Sequence, residues 1–168
     1  SIGGMIGQRL AAKRPDLVKA LVLSNTAARM GEPAMWHDRM TSVQQGGVAS
    51  LETAILDRWF GASFRRSEEA RLWGAMLSRT PADVYLGCCA SIAESDLNDE
   101  SATLRLPTLA IAGCHDGASP PDLVRATAAL IPGVDMQVIE GAGHLPCVET
   151  PAAYGDLLNR FLKDHTDD

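Results

Sequence analysis

The chain has 168 residues, of which 46% are hydrophobic and 21% charged, which is enough for one globular domain with a packed core. Its formal net charge of -6 and the lack of a Lys/Arg cluster longer than the pair Arg65-Arg66 argue against nucleic acid or an anionic membrane as partner. The longest apolar run, around Leu17 to Leu23, is interrupted by Lys19 and is far too short to span a bilayer.

Helical and strand patterns alternate from the beginning of the chain. Residues 5–14 carry apolar side chains at helical spacing, and Pro15 follows closely enough to stop the helix. Residues 19–25, KALVLSN, form a short apolar run that is typical of a strand buried on both faces. From 31 to about 100 the periods are helical and are broken by glycines and Pro81, which predicts a helical insertion.

Strand and helix patterns alternate again in the last third of the chain. PTLAIAG at 107–113 predicts a buried strand, residues 120–131 a helix with proline in its first turn, and DMQVIE at 135–140 another strand. An amphipathic helix is expected from about 151 to 162. Strands separated by helices of this length pair in parallel through right-handed crossovers.

These elements predict an α/β fold with a mostly parallel sheet and helices on both faces. We assign residues 1–30 and 101–168 to this core and residues 31–100 to a helical cap. Three strands are few for an open α/β sheet, which usually has about five or six. We therefore expect further strands of the same fold upstream.

Three polar residues occur where catalytic groups are expected in such a sheet, beyond the carboxyl ends of its strands. Asp116 follows the first predicted strand of the last third within CHDGASP, and His144 follows the second within GAGHLP. Ser1 opens SIGG, which matches the second half of the G-x-S-x-G nucleophile elbow. A catalytic triad of these three residue types occurs on several unrelated folds, which differ in the order of the residues along the chain. The order serine, aspartate, histidine is that of one of these folds, so the three residues predict nucleophilic catalysis.

Simpler interpretations exist for each of these residues, because serine, Asp-Gly and loop histidines are all common in turns. His115 could replace His144 as the base, but adjacent residues of an extended loop point in different directions, so His115 and Asp116 cannot easily bond each other. Cys147 follows a histidine by three positions, yet no turn there would expose and activate a thiol. We expect Cys147 to pack in the interior.

Four cysteines occur in the chain, at positions 88, 89, 114 and 147. They lack C-x-x-C spacing, and two adjacent cysteines make a poor structural disulfide. Reduced thiols in the cytoplasm are the expectation that follows.

SIGG, HDGASP and GAGHLPCVETP resemble segments of the α/β-hydrolase superfamily. Within it, LVLSNTAARMG (21–31), DRWFGASF (57–64) and YLGCCASIAESDL (85–97) are similar to the 3-oxoadipate enol-lactonases of aromatic catabolism. The resemblance covers essentially the whole chain and implies the C-terminal part of that fold. The N-terminal half of the family, with the histidine-glycine loop that supplies one oxyanion donor, is not in this sequence.

The resemblance implies a role for each candidate catalytic residue. Ser1 would attack the lactone carbonyl, His144 would act first as general base and then as general acid, and Asp116 would hold the imidazole tautomer. The backbone N–H of Ile2 would be one oxyanion donor. The ring would open to an acyl-enzyme with an enol that becomes a ketone, and water would release 3-oxoadipate without a metal or organic cofactor.

A carboxylated substrate also needs a cation away from the scissile carbonyl. The predicted cap offers Arg29, Arg39, Arg58, Arg65 and Arg66. Trp59 offers a flat apolar wall beside Arg58, and because neighbouring residues face different ways we expect at most one of the two to line the pocket. Alternatively, the arginines lie on a solvated helix face and Trp59 packs between cap and core.

Other functions remain open on the sequence alone. A different carboxylic ester hydrolase, or a relative of the cofactor-free haloperoxidases, would share the triad, and a non-catalytic binding protein could use the same fold.

The start at Ser1 fits an upstream half outside this sequence, a cleavage before Ser1, or an N-terminal-nucleophile hydrolase. The last has facing antiparallel sheets, which the alternation of strands and helices contradicts. A sheet cut at a central strand would expose apolar surface and unpaired edges, so we expect the remainder of the same α/β-hydrolase, in this chain or another, as a partner.

Overall fold

The computed structural model of the protein describes residues 1–166. Within this range three strands form one parallel sheet in the order β1-β2-β3: β1 (Leu21–Ser24), β2 (Thr108–Gly113) and β3 (Asp135–Ile139). Leu23 lies opposite Ala110 in the first pair of strands, and Ile111 lies opposite Gln137 in the second. The predicted α/β class with parallel pairing is confirmed.

Helices connect and flank these strands. The first is α1 (Ile2–Lys13), which leads into β1. Between β1 and β2 come α2 (Pro33–Gly46), α3 (Glu52–Trp59), α4 (Glu68–Ser78), α5 (Ala82–Ala93) and α6 (Asn98–Ala102), with 3₁₀ turns at Val48–Leu51 and Phe64–Arg66. The remaining helices are α7 (Pro121–Ala128), α8 (Pro146–Glu149) and α9 (Pro151–Thr166). We call residues 33–93 the helical region. The last two residues of the predicted core, 167 and 168, lie outside the described residues.

Local sequence explains where α1 begins and ends. The carbonyl oxygen of Ser1 accepts the N–H groups of Gly4 and Met5 at 2.9 and 3.3 Å, so the helix starts directly after Ser1, three residues earlier than predicted. A Cβ at Gly4 would overlap the side chain of Thr26, so a glycine here lets the helix pass close to the end of β1. The helix ends before Pro15, because the residue preceding a proline disfavours helical backbone.

Strand β2 forms the centre of the core and is buried at every residue. Leu109 and Ile111 pack with Phe161 of α9 on one face of the sheet. Ala110 and Ala112 pack with Val124 and Ala128 of α7 on the other. Because successive side chains of a strand point to opposite faces, helices cover the sheet on both sides, as the sequence predicts.

The helical region is built around the contact of α2 with α5. Trp36 of α2 is buried together with Cys89 and Ile92 of α5, and Met5 of α1 joins the same cluster. The C-terminal end of α3 is hydrogen-bonded to the loops that follow β2 and β3, which places the helical region over the carboxyl edge of the sheet. No helix among residues 1–166 combines the length and apolar character that crossing a membrane requires.

Candidate active site

The carboxyl ends of the three strands bring three buried polar residues together. Asn25 directly follows β1, Asp116 lies three residues after β2, and His144 lies in the loop after β3. Parallel strands end at the same edge of a sheet, and here their loops converge. Asp116 and His144 therefore meet although 28 residues separate them in the sequence.

A close hydrogen bond joins the aspartate to the histidine. Nδ1 of His144 lies 2.8 Å from Oδ2 of Asp116, and the two residues are only 6% and 4% exposed. The other carboxylate oxygen, Oδ1, accepts the backbone N–H groups of Ala118 and Ser119 at 2.7 and 2.9 Å. The Ser119 hydroxyl donates to Oδ2 at 2.8 Å. The carboxylate is thus fixed in orientation, with one oxygen directed at the imidazole.

These contacts determine the charge of Asp116. Burial acts to raise its pKa, but the hydrogen bonds from His144, Asn25 and the Ser119 N–H, with the charge of the imidazolium, outweigh burial and lower the pKa below the usual range of aspartate. Asp116 is therefore ionised at neutral pH. An ionised acid at Nδ1 keeps the proton on that nitrogen and leaves Nε2 free to accept one.

The lowered pKa of Asp116 gives a pH dependence of stability. Between the folded and unfolded pKa values the unfolded chain binds the extra proton, so the free energy of unfolding rises with pH in that interval. We expect the contribution of this carboxylate to be complete above the usual pKa of aspartate and to disappear as the pH falls through the lowered folded value. Urea unfolding of the wild type and Asp116→Asn from pH 7 downwards measures this. A difference in stability that stays constant down to the acid limit would contradict it.

Asn25 connects the loops that carry the aspartate and the histidine. Its Nδ2 donates to Oδ2 of Asp116 at 2.9 Å and to the carbonyl oxygen of Gly143 at 3.2 Å. Its φ of 50° places it in the left-handed region, which asparagine tolerates better than most residues. The Ser24 hydroxyl donates to Oδ1 of the Asn25 side chain at 2.8 Å, which leaves the side-chain amide nitrogen directed at Asp116. The sequence analysis did not identify Asn25, although its place at the end of a predicted strand was a usable signal.

Ser1 lies at the N-terminus of α1 and borders the same cavity as His144. The Thr26 hydroxyl donates to the Ser1 carbonyl oxygen at 2.7 Å, which ties this helix end to the segment after β1. Ile2 is the first residue of α1, so its N–H lies in the helix turn that has no intrahelical partners. The positive end of the helix dipole is also here, and it favours negative charge beside Ser1.

The cavity has a volume of about 230 Å³. Besides Ser1 and His144, its lining combines apolar and aromatic side chains with two arginines: Met30, Met35, Trp36, Arg39, Ile55, Arg58, Trp59, Tyr85, Cys88, Cys89, Ile92 and Leu123. Arg58 and Trp59 both border it, so the expectation that at most one of them would do so is wrong. Successive side chains of a helix point in directions only about 100° apart, and the cavity wall extends around the end of α3, so both residues reach it.

The two cavity arginines are held differently. The Arg39 guanidinium carbon lies 4.8 Å from the centroid of the Trp36 ring. Burial raises the pKa of the Tyr85 phenol, and the neighbouring Arg39 charge opposes this. Nε of Arg58 donates to the carbonyl oxygen of Gly117 at 3.0 Å. Burial, and next the charge of Arg39, lower the pKa of Arg58.

The other three candidate arginines lie outside the cavity lining. Arg29 pairs with Glu32 at 2.8 Å, Arg65 pairs with Asp57 at 2.5 Å, and Arg66 is exposed. In contrast, no carboxylate of the described residues forms an ion pair with Arg39 or Arg58. The cavity thus has two cationic side chains without an anionic partner among residues 1–166.

Two further sequence interpretations are resolved by the structure. His115 is exposed and lies outside the cavity lining, and its N–H donates to the carbonyl oxygen of Ala142 at 2.8 Å, so His144 is the histidine that bonds Asp116. Cys147 is exposed, so the prediction that it packs in the interior is wrong. It lies on the four-residue helix α8, whose buried position is taken by Pro146. All four cysteines are free thiols.

Three features together are typical of one class of protein. They are a parallel α/β sheet, a helical region over its carboxyl edge, and a buried Asp–His pair whose histidine lines the same cavity as a serine at a helix N-terminus. The chain belongs to the α/β hydrolase fold family, which it matches over residues 1–151. The expected superfamily is therefore confirmed.

Individual relatives include both lactonases and esterases. The chain is 28% identical over 165 residues to 3-oxoadipate enol-lactonase 2 of Acinetobacter baylyi, covering 97% of this chain and 61% of that protein. It is 31% identical over 173 residues to a pimeloyl-[acyl-carrier protein] methyl ester esterase of Xanthomonas campestris, covering 96% and 68%. The crystal structure of the enol-lactonase from Burkholderia xenovorans LB400 superimposes with a TM-score of 0.89 and 32% identity, covering 97% of this chain and 63% of that one. The chain thus spans less than two thirds of the enol-lactonases that it matches.

Proposed function

We propose that this chain carries the catalytic residues of a serine hydrolase that opens a small carboxylated enol-lactone, converting 3-oxoadipate enol-lactone to 3-oxoadipate. The observation that carries the proposal is the 2.8 Å bond between a buried, ionised Asp116 and His144, which lines the cavity that Ser1 borders. The similarity to enol-lactonases, and the two arginines of the cavity, support a substrate that has a carboxylate.

The proposed reaction proceeds through an acyl-enzyme. His144 accepts the Ser1 hydroxyl proton at Nε2 while the serine oxygen attacks the lactone carbonyl, and Asp116 stabilises the imidazolium at Nδ1. Collapse of the tetrahedral intermediate breaks the ring C–O bond and releases an enolate oxygen, which takes the proton from His144. The enol that results tautomerises to a ketone. His144 then activates a water that cleaves the ester to Ser1.

The N-terminus of α1 is the proposed site of oxyanion stabilisation. The N–H of Ile2, next to the nucleophile, has the position and the helix dipole to bind the negative oxygen of the intermediate. A single oxyanion donor contributes about 3 kcal/mol to transition-state stabilisation in enzymes of this chemistry.

Arg39, Arg58 and Trp59 form the proposed binding surface for the rest of the substrate. Arg39 is our first choice for the carboxylate, because Arg58 already donates one N–H to Gly117. Trp59 and Trp36 provide flat apolar surfaces for the ring.

Arg39→Gln should separate substrate binding from chemistry. We expect KM for the carboxylated lactone to rise about 10- to 100-fold, because a charge-assisted contact to the carboxylate contributes about 1.5–3 kcal/mol. Hydrolysis of an uncharged p-nitrophenyl ester should change less than about twofold. Arg66→Gln removes the same charge from an exposed site and is the matched control. Equal losses on both substrates would argue that Arg39 only maintains the fold of the helical region.

The proposed function itself is tested on the full-length natural protein with two measurements. A fluorophosphonate probe should label Ser1, as located by peptide mass spectrometry, and kcat/KM for freshly generated enol-lactone should exceed that for simple p-nitrophenyl esters. Failure to label Ser1 would favour a non-catalytic binding protein. Labelling with a preference for the simple esters would overturn the lactone and retain the hydrolase.

A second candidate is a different carboxylic ester hydrolase, favoured by the 31% identity to a methyl ester esterase over 68% of its length. The same Ser1, His144 and Asp116 would act, and the arginines would then face an acidic group of the acyl chain. Activity on methyl esters of short dicarboxylic acids, compared with the lactone, distinguishes this candidate.

The domain roles belong to the same proposal. Residues 31–100 would act as a cap over a core formed by residues 1–30 and 101–168, since the cavity lies between the helical region and the carboxyl edge of the sheet. β1 pairs only with β2 among the described strands, and Ile6 and Leu10 of α1 are 62% and 44% exposed. This surface suits the remainder of an α/β-hydrolase fold as partner. Free thiols favour the cytoplasm as location.

A further inference from the structure

The backbone on the N-terminal side of His144 is held from three directions. The Gly143 N–H donates to the carboxylate of Glu149, which lies at the end of α8. The Gly143 carbonyl oxygen accepts the Asn25 amide at 3.2 Å. The His144 N–H donates to the carbonyl oxygen of Trp59 at 2.6 Å. Both N–H groups of Gly143 and His144 and the Gly143 carbonyl oxygen therefore have a fixed partner.

Glu149 also holds a second segment. Its Oε1 accepts the N–H of Gly61 at 2.8 Å, while Oε2 accepts the N–H of Gly143. Gly61 follows α3 by two residues and is buried, and 88 residues separate it from Glu149. One carboxylate thus bridges the histidine loop and the helical region through charge-assisted hydrogen bonds, which are about twice as strong as neutral ones.

The two bridged segments touch too closely for any other residue at position 143. A Cβ on Gly143 would overlap the Trp59 carbonyl oxygen and would lie 2.8 Å from Oε2 of Glu149. The end of α3 also contacts the loop of the aspartate, because Gly117 N–H donates to the Arg58 carbonyl oxygen at 2.9 Å. The last turn of α3 therefore contacts both loops of the Asp–His pair while its side chains line the cavity.

We propose that Glu149 is a positioning residue: its carboxylate fastens the His144 loop to the segment after α3 and so fixes the imidazole against Asp116. Glu149 does not line the cavity and is not assigned a chemical step. The catalytic role of Glu149 rests on the proposed function, but the placement of the imidazole can be measured without turnover. Asp116 is the charged side chain in hydrogen-bond contact with that imidazole, and Arg58 is the basic residue in the last turn of α3, which is bonded to both loops.

The test is the NMR chemical shift of the His144 Nδ1–H proton, which the hydrogen bond to Asp116 moves downfield, in histidine-labelled full-length protein, comparing the wild type, Glu149→Gln and Glu140→Gln. Glutamine keeps the shape but replaces one acceptor by a donor, so one of the two N–H groups loses its partner. We expect the Nδ1–H resonance to move upfield in Glu149→Gln, because a displaced imidazole forms a longer hydrogen bond to Asp116. On a hydrolysed substrate, kcat should fall about 10-fold with KM changed less than about twofold. Glu140 is an exposed acid just before the same loop, and its variant should show the wild-type Nδ1–H resonance.

The outcomes separate this inference from the proposed function. An unchanged Nδ1–H resonance of His144 in folded Glu149→Gln would overturn the positioning role, whether or not the wild type turns over the lactone. An upfield shift of that resonance in a protein that a fluorophosphonate does not label would keep the positioning role and reject the hydrolase. If Glu149→Gln does not fold, Glu149→Asp replaces it: its shorter side chain keeps the charge but cannot reach both N–H groups, and an unchanged Nδ1–H resonance again overturns the proposal.

Discussion

Replacing Ser1 with alanine is expected to lower kcat by about 10⁴-fold or more, and His144→Ala should cause a loss of similar size. The hydroxyl is the only group in the proposed mechanism that forms the covalent intermediate, and without the imidazole that hydroxyl keeps its proton. Because both residues act in one step, the double variant should lose no more than the larger single loss. Steady-state turnover of the enol-lactone and of a p-nitrophenyl ester measures the three losses.

Ser42→Ala provides the control for this experiment. Ser42 is exposed on α2, where its hydroxyl donates to the carbonyl oxygen of Asp38 at 3.0 Å, far along the chain from the Asp–His pair. Its replacement should leave kcat within about twofold of the wild type. Losses at Ser1 and His144 that multiply in the double variant would mean that they act independently, which a nucleophile and its base cannot do.

The strands could be predicted from the sequence because short apolar runs mark positions that helices cover on both sides. Strand β2 was predicted at 107–113 and occupies Thr108–Gly113, with every residue buried. Strand β1 is shorter than predicted, since it ends at Ser24. The next residue, Asn25, adopts the left-handed backbone that turns its amide toward Asp116, and apolar periodicity does not report backbone handedness.

The Asp–His pair was predictable for a related reason. In a parallel sheet the residues just after neighbouring strands converge at one edge, so Asp116 and His144 could be paired once the strands were recognised. The residues that position this pair were not predictable from the sequence, because their roles come from contacts between distant segments. Asn25 reaches Asp116 across 91 residues, and Glu149 reaches Gly61 across 88. No local spacing encodes such contacts.

Side-chain direction was the weakest part of the sequence interpretation. Arg58 and Trp59 were expected to face different ways, yet the cavity extends around the end of the helix that carries them. Cys147 was expected inside, yet the helix it occupies has only four residues and buries its proline instead. Both errors arise where an element ends, because helical periodicity no longer fixes which face is buried there.

Asp116→Asn is expected to lower kcat by about 10⁴-fold and the free energy of unfolding at pH 7 by about 2 kcal/mol. Oδ2 of Asp116 accepts hydrogen bonds from three groups, and an amide nitrogen in its place would meet those donors with its own hydrogens. If the amide oxygen takes that place, its nitrogen instead faces the N–H groups of Ala118 and Ser119. The first arrangement also favours the imidazole tautomer with its proton on Nε2, which cannot accept the proton of Ser1.

The measurements for Asp116→Asn are kcat across pH 6 to 9 and urea unfolding at pH 7, with Asp156→Asn as the matched control. Asp156 is exposed on α9, so the same change of atoms there should alter stability by less than about 0.5 kcal/mol and leave kcat unchanged. Activity of Asp116→Asn should recover partly at high pH, because hydroxide can replace the weakened base in activating Ser1 or water. A variant that retains wild-type kcat at neutral pH would show that the tautomer of His144 does not depend on this carboxylate. Another acidic residue would then have to orient His144, and the bond between His144 and Asp116 would be structural only.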